Sequence, residues 1–322
     1  MAYSESVLRR AKARLEQARQ EAEDESRRRT EQIYARYPRL KEIDRELRTS
    51  VAKVAAATFS GGGDIQKAVE AIKQENLSLQ QERSWILQAA ELEEADLQQE
   101  PVCTDCGGRG YLGERMCDCL KELCRQEQKK ELSSLLAGRE TFESFRLHYY
   151  PETPDPDFGV PPRAMMQKVY ERCLRYAREF GAAPANLLMT GAPGLGKTFL
   201  SACIARSVAE NGFSVVYDTA GKLFADFEEA KFGEDLDQTR KYLACDLLII
   251  DDLGTEMVTQ FTQSALYEVI NTRLMEGRST IVSTNLTKTQ IENRYLPAIA
   301  SRLLGTYETL LFLGDDIRML KK

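Results

Sequence analysis

Residues Asn186 to Leu200 read NLLMTGAPGLGKTFL. Within them GAPGLGKT, Gly191 to Thr198, matches the pattern G-x-x-x-x-G-K-[ST]. The apolar NLLMT before it predicts a strand, and FLSACIARSVAENG after it predicts a helix, the two elements between which such a loop must lie. Its glycines let backbone N–H groups curl round phosphate oxygens, and the N-terminus of the following helix adds its positive end. The expected nucleotide-binding residues are therefore Gly191, Ala192, Pro193, Gly194, Leu195, Gly196, Lys197, Thr198 and Phe199. The Lys197 ammonium would face the β and γ phosphates, and the Thr198 hydroxyl would face Mg2+.

Downstream, DLLIIDDLG ends an apolar strand in two adjacent acids, Asp251 and Asp252. Neighbouring carboxylates at a buried strand tip repel each other unless a cation is near, which points Asp251 to Mg2+ and Asp252 to an attacking water. STIVSTN ends a further strand in Asn285, a hydrogen-bonding group for a γ phosphate or the lytic water. FSVVYDTA and YETLLFLG complete a set of apolar runs that alternate with helix-like segments from about Pro161 onward. That alternation predicts an α/β domain over residues 161–322, a mainly parallel sheet covered on both faces.

Upstream, residues 1–100 are rich in Glu, Gln, Arg, Ala and Leu. Val7, Ala11, Leu15, Ala18 and Ala22 recur at helical spacing, Pro38 breaks the pattern, and Leu40, Ile43, Leu47, Val51 and Val54 begin a second stripe. GGGD, Gly61 to Asp64, reads as a helix stop and N-cap before a third stripe through Ile65, Val69, Ile72 and Leu79. These helices either close on themselves or leave a seam for a partner protein. Residues 101–126 hold PVCTDCGGRGYLGERMCDCL, with Cys103 and Cys106 as a C-x2-C hook, Cys117 and Cys119 as C-x-C, and Cys124 beyond. Thiolate-only ligands favour Zn2+ held tetrahedrally, with an Fe–S cluster or five unrelated thiols as the alternatives. Residues 127–160, dense in Pro and aromatics after the first turn, read as a linker or strap.

The order of motifs resembles the AAA+ ATPases, and within them the bacterial helicase loaders of the DnaC/DnaI kind. IASRLLG, Ile299 to Gly305, is similar to that family's SRL box, which implies that Arg302 is an arginine finger reaching a neighbouring copy's ATP site. GDDIR, Gly314 to Arg318, matches the second sensor and Asn285 the first, which implies that Arg318 touches the γ phosphate in cis. TFESF, Thr141 to Phe145, resembles the strap whose aromatics help cover the adenine. DnaI-like loaders also place a zinc-binding segment between a helical N-terminal part and the ATPase. DnaJ-type co-chaperones carry several such units and a His-Pro-Asp signature, whereas this chain has one unit and a single His, His148. Two departures matter. The second acid is Asp252 where AAA+ proteins usually carry Glu, implying slow hydrolysis with Glu256 as a substitute base, and the chain ends soon after Arg318, leaving no room for a separate helical lid.

What the resemblance implies is an ATPase using ATP, Mg2+ and Zn2+. Its helical N-terminal region binds the replicative hexameric DNA helicase of the DnaB type, and its ATPase domain self-assembles and grips single-stranded DNA. Lys222, Lys231, Arg240 and Lys241 are candidate phosphate contacts and Phe224 or Phe232 candidate base stackers, unless TAGKLFADFEEAKFGEDLDQTRKYLA is an ordinary amphipathic crossover. Three other readings stand beside it: an IstB-like helper of DNA transposition, an ATP-binding scaffold with little turnover, and a small-molecule P-loop kinase. The last needs an arginine-bearing lid and an acceptor pocket that the sequence does not offer. Composition narrows the rest. Hydrophobic residues make up 43% and no apolar run reaches the roughly eighteen residues of a membrane span. The net charge of −6 argues against a globally basic nucleic-acid binder but leaves room for a local basic groove. An N-terminus charged within ten residues, and 8 Cys in 322 residues, suit a reducing cytoplasm.

Overall fold

Ala and straight-chain residues lose little rotamer freedom in a helix, so the Glu-, Gln- and Arg-rich first hundred residues favour long helices. The computed structural model describes residues 3–59, 65–135, 140–182, 185–232 and 237–320. It opens on α1 (Glu5–Arg36), α2 (Pro38–Phe59) and α3 (Ile65–Ala89). Pro38 begins α2, where its missing N–H costs no hydrogen bond. The stop and N-cap expected at Gly61 to Asp64 lie outside the described residues, as do the side chains of Val51, Val54 and Ile65. A short antiparallel hairpin, β1 (Tyr111–Leu112) and β2 (Arg115–Met116), is followed by α4 (Asp118–Leu135). This helix runs through the 126/127 position where the sequence texture changes.

The chain divides into two compact units, residues 14–117 and residues 1–13 with 118–322. In the first, α1, α2 and α3 cover part of their own apolar surface. Leu40 and Ile43 are fully buried, and Ile33, Leu40 and Leu87 form a small cluster. Polar pairs seal it: Arg39 donates twice to Glu82 at 2.8 Å, the Tyr34 hydroxyl and Arg83 Nε each donate to Asp44 at 2.6 Å, and Asn76 donates to the Ser50 hydroxyl at 3.0 Å.

The second unit is built on five strands: β3 (Leu187–Thr190), β4 (Val215–Thr219), β5 (Leu247–Leu253), β6 (Ser279–Thr284) and β7 (Glu308–Leu311). They lie in the order β4-β5-β6-β3-β7, and every pair is parallel. These are the five apolar runs of the sequence. The central strands are buried on both faces, which is why they read as continuous apolar runs. Leu187, Met189, Leu247, Ile249 and Ile281 face one core, covered by α5 (Pro162–Arg178) and α6 (Lys197–Glu210). Leu188, Leu248, Ile250 and Val282 face the other. That face carries α7 (Ala220–Phe232), α8 (Asp237–Ala244), α9 (Gln260–Met275), α10 (Lys288–Arg294) and α11 (Pro297–Gly305), and a last turn, α12 (Ile317–Leu320), follows β7. The arrangement is the AAA+ P-loop fold, with β3 entering the phosphate loop between β6 and β7.

Residues 3–13 belong to this unit. Val7 and Ala11 are buried, the Tyr3 hydroxyl donates to the Gly212 carbonyl at 3.2 Å, and Arg10 donates to Glu127 at 3.3 Å. On α4, Gln128 donates to the Phe213 carbonyl and accepts from the Val215 amide, both at 2.9 Å, occupying backbone groups where edge strand β4 begins. Among the described residues no helix is long and apolar enough to cross a membrane.

A fully buried guanidinium closes the opposite end of the sheet. Arg273 donates to the carbonyls of Tyr242 (2.8 Å), Cys245 (3.0 Å) and Ser279 (2.6 Å) and to the Thr280 hydroxyl (2.9 Å). It thereby satisfies the last turn of α8 and the entries to β5 and β6 with one planar fork of donors. Arg273→Ala should destabilise this unit by about 3–4 kcal/mol, since it leaves several buried carbonyls unpaired at once. Urea unfolding followed by far-UV circular dichroism measures it, and a loss below 1 kcal/mol would contradict the account.

Candidate nucleotide-binding site

Two glycines allow the chain end to close on the phosphate loop. Gly191 has φ 145, and a Cβ there would lie 2.5 Å from the Phe312 carbonyl oxygen; Gly194 has φ 77, and a Cβ there would lie 1.8 Å from Asp316 Oδ1. The Phe312 amide donates to the Thr190 carbonyl at 2.8 Å and the Ile317 amide to the Gly194 carbonyl at 3.2 Å. This seating carries Arg318 to the rim of a cleft of about 640 Å³.

The cleft brings together Lys197, Thr198, Asp252, Asn285 and Arg318, residues that span more than a hundred positions of sequence. Lys197 is 5% exposed, and its ammonium donates to the Gly191 carbonyl (2.6 Å), the Ala192 carbonyl (2.8 Å) and Asn285 Oδ1 (2.6 Å). Burial pulls its pKa down to about 8, with the charges of Asp252 and Asp251 working against that shift. Asp252 lies in the left-handed region at φ 55. Its carboxyl is raised above the ordinary range by burial and then by the charge of Asp251, while Lys197 and Arg318 pull it down.

Asp251 stands behind Asp252 and does not line the cleft. It is 4% exposed, accepts from the Tyr217 hydroxyl on Oδ2 at 2.8 Å and accepts from the Ser283 hydroxyl on Oδ1. Each carboxylate oxygen keeps a second lone pair, so the hard oxygen donors of Asp251 and Thr198 fit Mg2+ or its water. Tyr217 and Ser283 were not signalled by any motif; their only sequence mark is a polar side chain inside an apolar run.

Aromatic residues form the other wall. Phe145 lines the cleft beside Phe199 and stacks on Tyr170, with ring centroids 5.4 Å apart and 14° between planes. Phe142, the other aromatic of TFESF, is buried edge-on against Tyr170 and does not line it. Tyr150, fully buried, donates to the Leu195 carbonyl at 2.8 Å and so ties the strap to the phosphate loop.

Several expected residues lie elsewhere. Arg302 is outside the cleft: its guanidinium sits 4.7 Å from the Tyr267 ring centroid and donates to Asn271 Oδ1 at 2.7 Å and the Ala298 carbonyl at 2.9 Å. Glu256, the expected substitute base, does not line the cleft: its carboxylate accepts from the Gly254 amide at 2.7 Å and the Tyr295 hydroxyl at 2.6 Å. Phe224 is core and cannot stack on bases. Lys222 pairs with Asp226, and Lys241 pairs with Asp226 at 2.8 Å and Asp218 at 3.2 Å, so much of their charge is internally matched. Lys231 lies over the Phe261 ring. The Phe232 side chain lies outside the described residues.

The cysteine hairpin gathers Cys103, Cys106, Cys117 and Cys119, whose sulfurs all lie within 4.8 Å of one another. Tetrahedral Zn2+ with Zn–S bonds of about 2.3 Å requires sulfurs about 3.8 Å apart, so the donor set fits. Cys103 and Cys117 are already 3.8 Å apart, and Cys106 Sγ accepts from the Gly110 amide at 3.2 Å. Cys124 is not in the group; burial pushes its thiol up to about 11.

Fold and cleft together define an AAA+ P-loop ATP-binding protein. The chain belongs to the IstB-like ATP binding protein family, whose model matches residues 157–317. It is 26% identical over 157 residues to the replicative helicase loader DnaC of Buchnera aphidicola subsp. Schizaphis graminum, covering 47% of this chain and 64% of that protein. It is 31% identical over 129 residues to an insertion-sequence ATP-binding protein of Sinorhizobium fredii, covering 40% of this chain and 43% of that one. The chain thus spans less than two thirds of the length of either relative. The crystal structure of the DnaC helicase loader is similar at 18% identity and a TM-score of 0.47, covering 54% of this chain and 97% of that one.

The purified chain should carry one zinc per polypeptide by plasma emission spectrometry. Cys106→Ser or Cys117→Ser should lose it and Cys124→Ser should keep it. Equal retention in all three would exclude the four-cysteine site.

Proposed function

We propose that this chain is an ATP-dependent loader of a replicative DNA helicase. The observation that carries the reading is the division of charges about one cleft: Lys197, Asp252, Asn285 and Arg318 converge there, and Arg302 stands outside it on α11. Arg302 standing outside its own cleft suits hydrolysis completed by a second copy, as the resemblance of IASRLLG to the SRL box implies. Lys197 would bind the β and γ phosphates, Asp252 would orient and deprotonate the attacking water, Asn285 would hold that water or the γ phosphate, and Arg302 of a neighbouring copy would complete charge neutralisation. Thr198 and Asp251 would hold Mg2+, which neutralises phosphate charge when bound. ATP acts here as a switch for assembly on single-stranded DNA and release from the helicase.

The helical unit would dock the helicase, and free cysteines with a zinc-fitting cluster suit the reducing cytoplasm. Similarity to DnaC loaders supports this pathway. The insertion-sequence relative supports a second one, help to a transposase, from which the cysteine hairpin is the distinguishing feature. Size analysis of the chain mixed with its host's replicative helicase, with and without ATP, separates them; co-elution with a transposase and not with the helicase would favour the second.

Arg302→Ala should abolish assembly- or DNA-stimulated hydrolysis, a loss of about 10³-fold or more, while ATP affinity stays near wild type. Equal stimulated rates would remove its role. Asp252 must be ionised to accept a proton, and its carboxyl is raised. Hydrolysis should therefore decline on acidification at a pH above the ordinary carboxylate range, and the residual rate of Asp252→Asn should lack that acid limb.

A further inference from the structure

We propose that Ser283 is a positioning residue that locks Asp252 into its left-handed conformation and ties that backbone to the Asp251 carboxylate. The inference rests on the reading of the cleft as an Mg2+–ATP site.

The parallel ladder between β5 and β6 runs with Ile250 opposite Val282 and resumes with Leu253 opposite Thr284, the register shifting between. Asp251 and Asp252 therefore face the single residue Ser283. Two residues opposing one is a β-bulge, a local break that bends a strand and re-aims a side chain. Its extra residue is Asp252, at φ 55. On the other side of β5, Thr219 of β4 pairs with Asp251 and β4 goes no further, so Asp252 has no backbone partner in either neighbouring strand.

A partly buried N–H cut off from its ladder costs about 1–3 kcal/mol if unpaired. Here the Ser283 hydroxyl accepts it at 3.0 Å. The same hydroxyl, fully buried, commits its only proton to Asp251 Oδ1. One residue on, the Thr284 hydroxyl donates to the Leu253 carbonyl at 2.6 Å, so two side chains of β6 together replace the missing ladder.

A hydroxyl is the smallest group that donates once and accepts at the same time. Donating to the Asp251 carboxyl polarises the O–H and strengthens its lone pair toward the Asp252 amide, as linked hydrogen bonds do. The position of the Asp251 carboxylate is thereby tied to the backbone that aims Asp252 into the cleft. An Ala there would leave both ends of the relay unmatched, whereas a Thr would preserve them.

The test compares Ser283→Ala and Ser283→Thr in the full chain. In the metal-free protein, hydrogen exchange at the Asp252 amide should be about tenfold faster in Ser283→Ala, the ratio that one hydrogen bond supports, with the Ile249 and Ile250 amides unchanged. The Mg2+ concentration that half-saturates its tightening of nucleotide binding should rise, and kcat should fall, each by about 10–100-fold, the usual cost of losing a group that orients a metal ligand. ADP affinity without Mg2+ should stay within about twofold, and Ser283→Thr should restore each readout to within about threefold. Wild-type exchange at Asp252 and a wild-type Mg2+ midpoint in Ser283→Ala would overturn the relay. So would a folded Ser283→Thr as defective as Ser283→Ala. Should Ser283→Ala not fold, Ser283→Cys, similar in size but a weak donor, takes its place with the same expectations. A wild-type chain that binds no nucleotide overturns the ATPase reading, and exchange at Asp252 then still decides the relay.

Discussion

A buried ammonium beside a pair of carboxylates organises the P-loop unit. Lys197 has lost most of its water, and burial disfavours its charge. Two carbonyls of its own loop and the Asn285 side chain replace that water, while Asp251 and Asp252 favour its charge. None of these groups is affordable singly in a low-dielectric strand end. The parallel sheet is what makes them possible together, since it delivers the C-terminal ends of β3, β5 and β6 to one edge.

That edge is held by contacts with little hydrophobic content. Asp251 is fixed by hydroxyls from both neighbouring strands, Tyr217 of β4 and Ser283 of β6. The loop is clasped on one side by Tyr150 and on the other by the Gly194–Asp316 approach. The stability of the core and the geometry of the cleft are thus separate matters. Apolar burial above and below the sheet secures the former, and directional hydrogen bonds at its rim secure the latter.

The cysteine hairpin obeys a different constraint. Its two strands of two residues bury too little apolar surface to hold a shape, and a metal held by the four thiolates would substitute for a core. Three further buried cysteines, Cys173, Cys203 and Cys245, have thiols raised by burial and act as small packing groups.

Sequence by itself determined whatever is contiguous or periodic. The loop GAPGLGKT, the acids ending DLLIIDDLG, the five apolar runs and the helical stripes all announce themselves within a dozen residues, because backbone hydrogen bonding and burial act locally there. The pairing of these runs into one parallel AAA+ sheet agrees with that reading, and Lys197, Asp252, Asn285 and Arg318 line one cleft. Tertiary structure alone decided the contacts between distant segments. Residues 3–13 join the P-loop unit and Phe224 turns into the core. Glu256 is consumed by Gly254 and Tyr295, and Ser283 answers a bulge in another strand. Register across strands and the closing of long loops depend on the shape of the whole core, which no local pattern of side chains encodes.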